Sequence, residues 1–118
     1  MRQPPSIETF GGGGFRVSGA WRPGSLLILD DAPRDWPARG VETLGIEDFA
    51  EIIAAGQAVS EFVLLGTGRD QTLPPRAVRE ALRAAGLGLE FMASDAAAHT
   101  HNVLVSEGRR FATALIAV

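Results

Sequence analysis

The chain contains no cysteine. That absence removes disulfides, thiolate-held zinc and cysteine nucleophiles together. Lysine is missing too, so all 11 basic residues are arginines, and against 14 acidic residues they leave a formal net charge of −3. A nucleic-acid footprint needs clustered positive charge, so this balance points away from nucleic acid. No apolar run approaches the roughly 20 residues of a helical membrane span. Runs such as Leu26–Leu29 and Phe62–Leu65 have the length of strands. Met1–Ser6 has no apolar core of the kind that marks a secretory signal, which makes a cytoplasmic location the expectation. A Gly-Lys-Ser/Thr phosphate loop, a GxGxxG turn and a Gly-x-Ser-x-Gly nucleophile elbow are also lacking.

What is present suits an ordered α/β protein. With 118 residues, 46% of them hydrophobic and 21% charged, the chain reads as a single domain over residues 1–118. Residues 1–40 form a β-rich meander layer in this reading, and residues 41–118 an α/β part. Ile7–Phe10 and Phe15–Ser18 are strand-like pieces joined by Gly11–Gly14. Gly19–Arg22 leads into a Pro23-Gly24 turn, and Ser25–Leu29 reads as a buried strand ended by Asp30-Asp31-Ala32-Pro33. Trp36 before Pro37 is extended. Ile46, Phe49, Ile52 and Ile53 then fall on one helical stripe, with Gly56 as its stop.

Phe62–Leu65 is a continuous apolar run, as expected of a parallel strand covered on both faces. Pro74-Pro75 opens a helix over 76–85 with Val78, Ala81, Leu82 and Ala85 inward, and Gly86 stops it. Leu87, Leu89 and Phe91 alternate as the next strand, so that strand, helix and strand make a βαβ unit. Ser94 or Asp95 can cap a further helix running to about Glu107 and stopped by Gly108. Phe111–Val118 closes the chain as a strand.

Gly66-Thr67-Gly68 follows a parallel strand, where open α/β sheets usually bind ligands. Its N–H groups could cradle an anion beside Arg69, or the glycines could simply serve a turn. Gly11–Gly14 precedes a strand rather than a helix, which favours a plain β connection over a phosphate loop. His99 and His101 lie two apart, pointing about 200° away from each other on a helix, and cannot share one metal there. No metal and no cofactor is expected. Asp30, Asp31 and Asp35 are a carboxylate cluster or ordinary turn formers. Arg109 and Arg110 read as one surface charge and one partner for a local carboxylate. Trp21 and Trp36 are core residues or partner anchors.

Taken in order, Gly13–Gly19, Leu65–Gly68, Ala97–Leu104 and Glu107–Arg110 give a pattern that resembles the domain of unknown function 498, or Mth938-like, family. The family includes bacterial and archaeal proteins of about this length, a mitochondrial assembly factor of respiratory complex I and an adipogenesis-associated protein. The resemblance implies a three-layer β+α/β/α fold with a five-stranded mixed central sheet and an extra N-terminal β meander. Relatives commonly carry Cys, Arg and Tyr where this chain has Ala98, His99 and His101, so a thiol or phenol is not available at those positions. No established catalytic residue comes with the resemblance.

Three readings of function follow. In the first, the chain is a non-enzymatic binding or assembly protein working through a protein partner. Its surface is then formed by Gly66, Thr67, Gly68, Arg69, Asp70, Thr100 and Asn102, extended by exposed members of the meander such as Trp36. In the second, a pocket above Phe62–Leu65 takes a small molecule or anion, with Arg69 orienting it and Asp70 or His99 as acid or base. In the third these segments are structural, with Asn102 as a buried hydrogen-bond hub.

Overall fold

The computed structural model describes residues 2–118. Met1, part of the N-terminal stretch read above for a signal segment, lies outside them. The element order is β1 (Ile7–Gly11), β2 (Gly14–Val17), β3 (Ala20–Pro23), β4 (Ser25–Leu29), β5 (Ala32–Trp36), α1 (Ala50–Ala55), β6 (Phe62–Gly66), α2 (Arg76–Ala84), β7 (Gly88–Met92), α3 (Ser94–Ser106) and β8 (Phe111–Leu115). β1, β2 and β3 form an antiparallel three-stranded sheet, and the remaining strands a five-stranded sheet in the order β5-β4-β8-β6-β7. The larger sheet is mixed: β6 runs parallel to β7 and β8, while β4 is antiparallel to β5 and β8. The fold is the α/β architecture that the family resemblance implies.

The continuous apolar runs are explained by a sheet buried on both faces. Leu27 and Leu29 of β4, Val63 and Leu65 of β6, and Ala112 and Ala114 of β8 enter one core, with Val78 and Leu82 of α2 and Ile52 of α1. The alternate residues Leu26, Ile28, Phe62, Leu64 and Leu115 enter the other, with Phe15 and Val17 of β2 and Ala97, Ala98 and Leu104 of α3. The period-2 rule thus divides each run between two cores, one under α1 and α2 and one under α3 and the small sheet.

Several expectations need correction. The layers do not part near residue 40: β4 and β5 belong to the five-stranded sheet, so the extra layer ends at Pro23. Residues 20–23 and 32–36, read as turn and connection, are strands. Backbone pairing holds them despite Pro23 and Pro33, because both β3 and β5 lie at sheet edges, where a missing N–H costs little. Asp30 and Asp31 adopt positive φ, 52° and 63°, and form the tight turn between β4 and β5. The stripe from Ile46 is split between a 3-10 segment, Ile46–Phe49, and the short α1, and Ile46 is exposed.

Candidate functional site

The Gly66–Asp70 segment leaves the end of β6 and turns sharply, with Gly68 at φ +99°. The polar groups of Thr67 and Gly68 face inward. Thr67 is buried; its N–H reaches the Met92 carbonyl at 2.8 Å. The Thr67 hydroxyl donates to the Asp70 carbonyl at 2.6 Å and accepts the Thr72 N–H at 3.1 Å. The Gly68 N–H goes to Ser94 Oγ at 2.9 Å, and the Ser94 hydroxyl donates onward to the Ile116 carbonyl at 2.6 Å. Ser94 N–H returns to the Gly68 carbonyl at 2.8 Å. The fully buried Ser94 therefore ties three chain segments together: the loop after β6, the start of α3 and the exit of β8. Ala93, not Ser94 or Asp95, is the residue before the first helical turn of α3.

The seven residues singled out in the sequence do not form one surface. Gly66, Thr67 and Gly68 are buried, whereas Arg69 and Asp70 are exposed beside them. Thr100 lies further along α3 with its hydroxyl 3.4 Å from Met92 Sδ. Asn102 is elsewhere again: Oδ1 accepts the Ile7 N–H at 2.9 Å and Nδ2 donates to the Ile7 carbonyl at 2.7 Å. It pairs with β1 as a backbone peptide would, half-buried rather than buried.

The two histidines have opposite environments, as their spacing on α3 requires. His99 is exposed. His101 is 2% exposed, with Nε2 2.8 Å from the Pro5 carbonyl and Nδ1 2.8 Å from Thr113 Oγ1. A carbonyl can only accept, so the proton sits on Nε2 and the Thr113 hydroxyl donates to Nδ1. Burial pushes the imidazole pKa below its ordinary 6.5, opposed by the Pro5 hydrogen bond and the field of Asp31. Among the described residues no group of three or more His, Asp or Glu side chains is placed to hold a metal ion.

The other candidates disperse. Asp31 pairs with Arg2 at 3.1 Å and Asp35 with Arg22 at 3.3 Å, on different flanks. Arg109 lies over the Phe62 ring at 5.0 Å, and Arg110 faces Glu61 at 3.7 Å. Trp36 is not on the surface: it is 4% exposed, donates to the Asp48 carbonyl at 2.9 Å and meets Phe49 edge-on. Trp21 is the exposed tryptophan, at 46%.

Beside the loop lies a recess of about 180 Å³ lined by Phe10, Gly68, Arg69, Asp95 and Val118. Phe10 is 47% exposed at its rim. Asp95 sits in the first turn of α3, its Oδ1 accepting the Ala96 N–H at 2.8 Å, so its negative charge occupies the position where a helix would favour an anion. Sequence reading missed Phe10 and Asp95. The available signal for Asp95 was its place just beyond the end of β7, next to the loop that leaves the parallel neighbour β6. Phe10 had none, because it comes from the other sheet.

The chain is similar to known proteins in both sequence and shape. The family model for the protein of unknown function DUF498/DUF598 matches residues 7–116. The uncharacterised protein RCAP_rcc01784 of Rhodobacter capsulatus is 38% identical over 111 residues, 93% of this chain and 82% of that protein. The crystal structure of an outer membrane protein from Bartonella henselae is similar at a TM-score of 0.89 and 29% identity, over 98% of this chain and 96% of that one. A Mth938-like domain protein of Bordetella pertussis shares the fold, with a TM-score of 0.78 at 24% identity over 95% of this chain and 85% of that one.

Proposed function

The chain belongs to the DUF498/DUF598 family of proteins of unknown function, and from that premise we propose that it is a non-enzymatic binding or assembly protein acting through protein–protein contacts. The observation that carries this reading is the recess beside the Gly66–Asp70 loop, rimmed by half-exposed Phe10 with Arg69 and Asp95 of opposite charge. At about 180 Å³ it is smaller than the roughly 300–1,000 Å³ of ordinary ligand pockets. It has room for one side chain of a partner, with an aromatic anchor and two charges to fix orientation. Of the residues first grouped as a surface, Gly68 and Arg69 line it, and Asp70 is exposed next to Arg69 in the chain. Thr67 and Gly68 shape the loop from beneath.

An anion or small-molecule site at Gly66–Gly68 has less support. The Thr67 and Gly68 N–H groups are already satisfied within the protein, and Asp95 adds a like charge. We place the protein in the cytoplasm on the same reading. No helix among the described residues is long and apolar enough to cross a membrane.

The test compares tagged wild type with Phe10→Ser and Arg69→Glu in affinity purification from the native host. Both side chains are exposed, so both variants should fold as wild type does. A partner enriched by wild type and lost with both variants is expected. Equal recovery with the variants, or nothing above background, overturns the proposal.

A further inference from the structure

β7 is the last strand of the five-stranded sheet and pairs only with β6. The Gly88 N–H and the Met92 carbonyl both point toward β6, donating to the Glu61 carbonyl at 3.1 Å and accepting the Thr67 N–H at 2.8 Å. Because backbone direction alternates along a strand, the N–H and C=O of Leu89 and Phe91 point outward, away from the sheet. No lysine, proline or bulge guards this edge. A groove of about 360 Å³ runs beside it, with Leu87, Leu89 and Phe91 on one wall and Arg79 and Arg83 of α2 on the other. Arg76, Arg79 and Arg83 recur along α2, partly offset by the Arg76–Glu80 pair at 2.6 Å. Among the described residues Arg83 has no carboxylate partner.

We propose that the β7 edge binds an acidic polypeptide segment as an added strand, with its carboxylates on Arg79 and Arg83. A residue paired opposite Leu89 or Phe91 shares their face and meets the arginines. A residue paired opposite Glu90 lies on the other face and meets a carboxylate. The preferred segment therefore alternates acidic with uncharged side chains. Nucleic acid could answer the arginines but not the row of outward N–H and C=O groups. A second copy of this chain fits poorly. Antiparallel β7–β7 pairing about a two-fold axis normal to the sheet puts both α2 helices on one face, with arginines against arginines. This face shares no residue with the Phe10–Arg69–Asp95 recess, so either proposal can fail alone.

The test is binding of a short fluorescent peptide alternating glutamate with valine, read by anisotropy and by amide chemical shifts of the full chain. Shifts centred on Leu89 and Phe91 are expected. Arg83→Glu, a change confined to the surface, should weaken binding about tenfold, the size of one charge-assisted contact. Methylating alternate peptide nitrogens should abolish it, because the ladder loses its donors while charge is unchanged. Equal binding of a lysine–valine peptide, indifference to N-methylation, shifts confined to another face, or capture of a single-stranded oligonucleotide but not the peptide would each overturn the proposal.

Discussion

Burial of the His101 imidazole couples its protonation to folding. His101 satisfies both ring nitrogens as the Nε2–H tautomer, and burial lowers its pKa relative to 6.5. Below pH 6.5 the unfolded chain takes a proton that the folded chain refuses until its own lower pKa is reached. The stabilisation is therefore complete above 6.5 and is lost as pH falls through the folded value. Urea melts should show stability declining from roughly pH 6.5 downward, with the step removed in His101→Gln. Identical pH profiles for the two proteins would show that His101 does not titrate on unfolding. Thr113→Val leaves Nδ1 without its donor and should cost about 1–3 kcal/mol at neutral pH. Asn102→Ala breaks both bonds to Ile7 and should lower stability by roughly 1–2 kcal/mol. An unchanged melting curve would argue that the clamp on β1 is incidental.

At the scale of elements, the close approach of β6, α3 and β8 sets how the candidate corner is built. A methyl group on Gly66 would lie 2.8 Å from Leu115 Cδ2 and 2.8 Å from Ser94 Oγ. Gly66→Ala should push the start of α3 away and break the Ser94 bridge, costing about 1–3 kcal/mol by overpacking. A urea midpoint equal to wild type would refute that packing. Sequence periodicity found the longer elements well. β4, β6, α2 and α3 announce themselves by apolar runs, by a 3.6-residue stripe or by glycine stops at Gly86 and Gly108, with φ of 76° and 71°. It missed β3 and β5, because Ala20–Pro23 and Ala32–Pro33 carry turn residues and no alternation. Pairing with a strong neighbour, β2 or β4, supplied what local preference did not.

At the scale of the whole molecule, the two cores on either side of the larger sheet account for where tolerance to change should lie. Arg69 at the corner and Arg83 beside the β7 edge are exposed and belong to neither core, and this is why surface substitutions there can test binding without testing folding. Compartment is a whole-molecule question as well. The similar Bartonella henselae protein is called an outer membrane protein, whereas we propose a cytoplasmic location for this chain. Fractionation of host cells expressing the tagged chain should place it in the soluble cytoplasmic fraction. Recovery with outer membranes resistant to carbonate washing would overturn that placement.

The sequence by itself determined the family pattern, the α/β class, the doubly covered β6, and the lack of thiol chemistry. These rest on composition and on periodicities that neighbouring residues carry locally. Only the tertiary structure decided which side chains meet. Phe10 reaches Arg69 and Asp95 from a different sheet, Asn102 turns to β1 instead of the loop, and of the two tryptophans Trp36 is buried while Trp21 is exposed. Such contacts join residues far apart in the chain, and their geometry follows from how strands pair and helices cross, which local sequence does not encode.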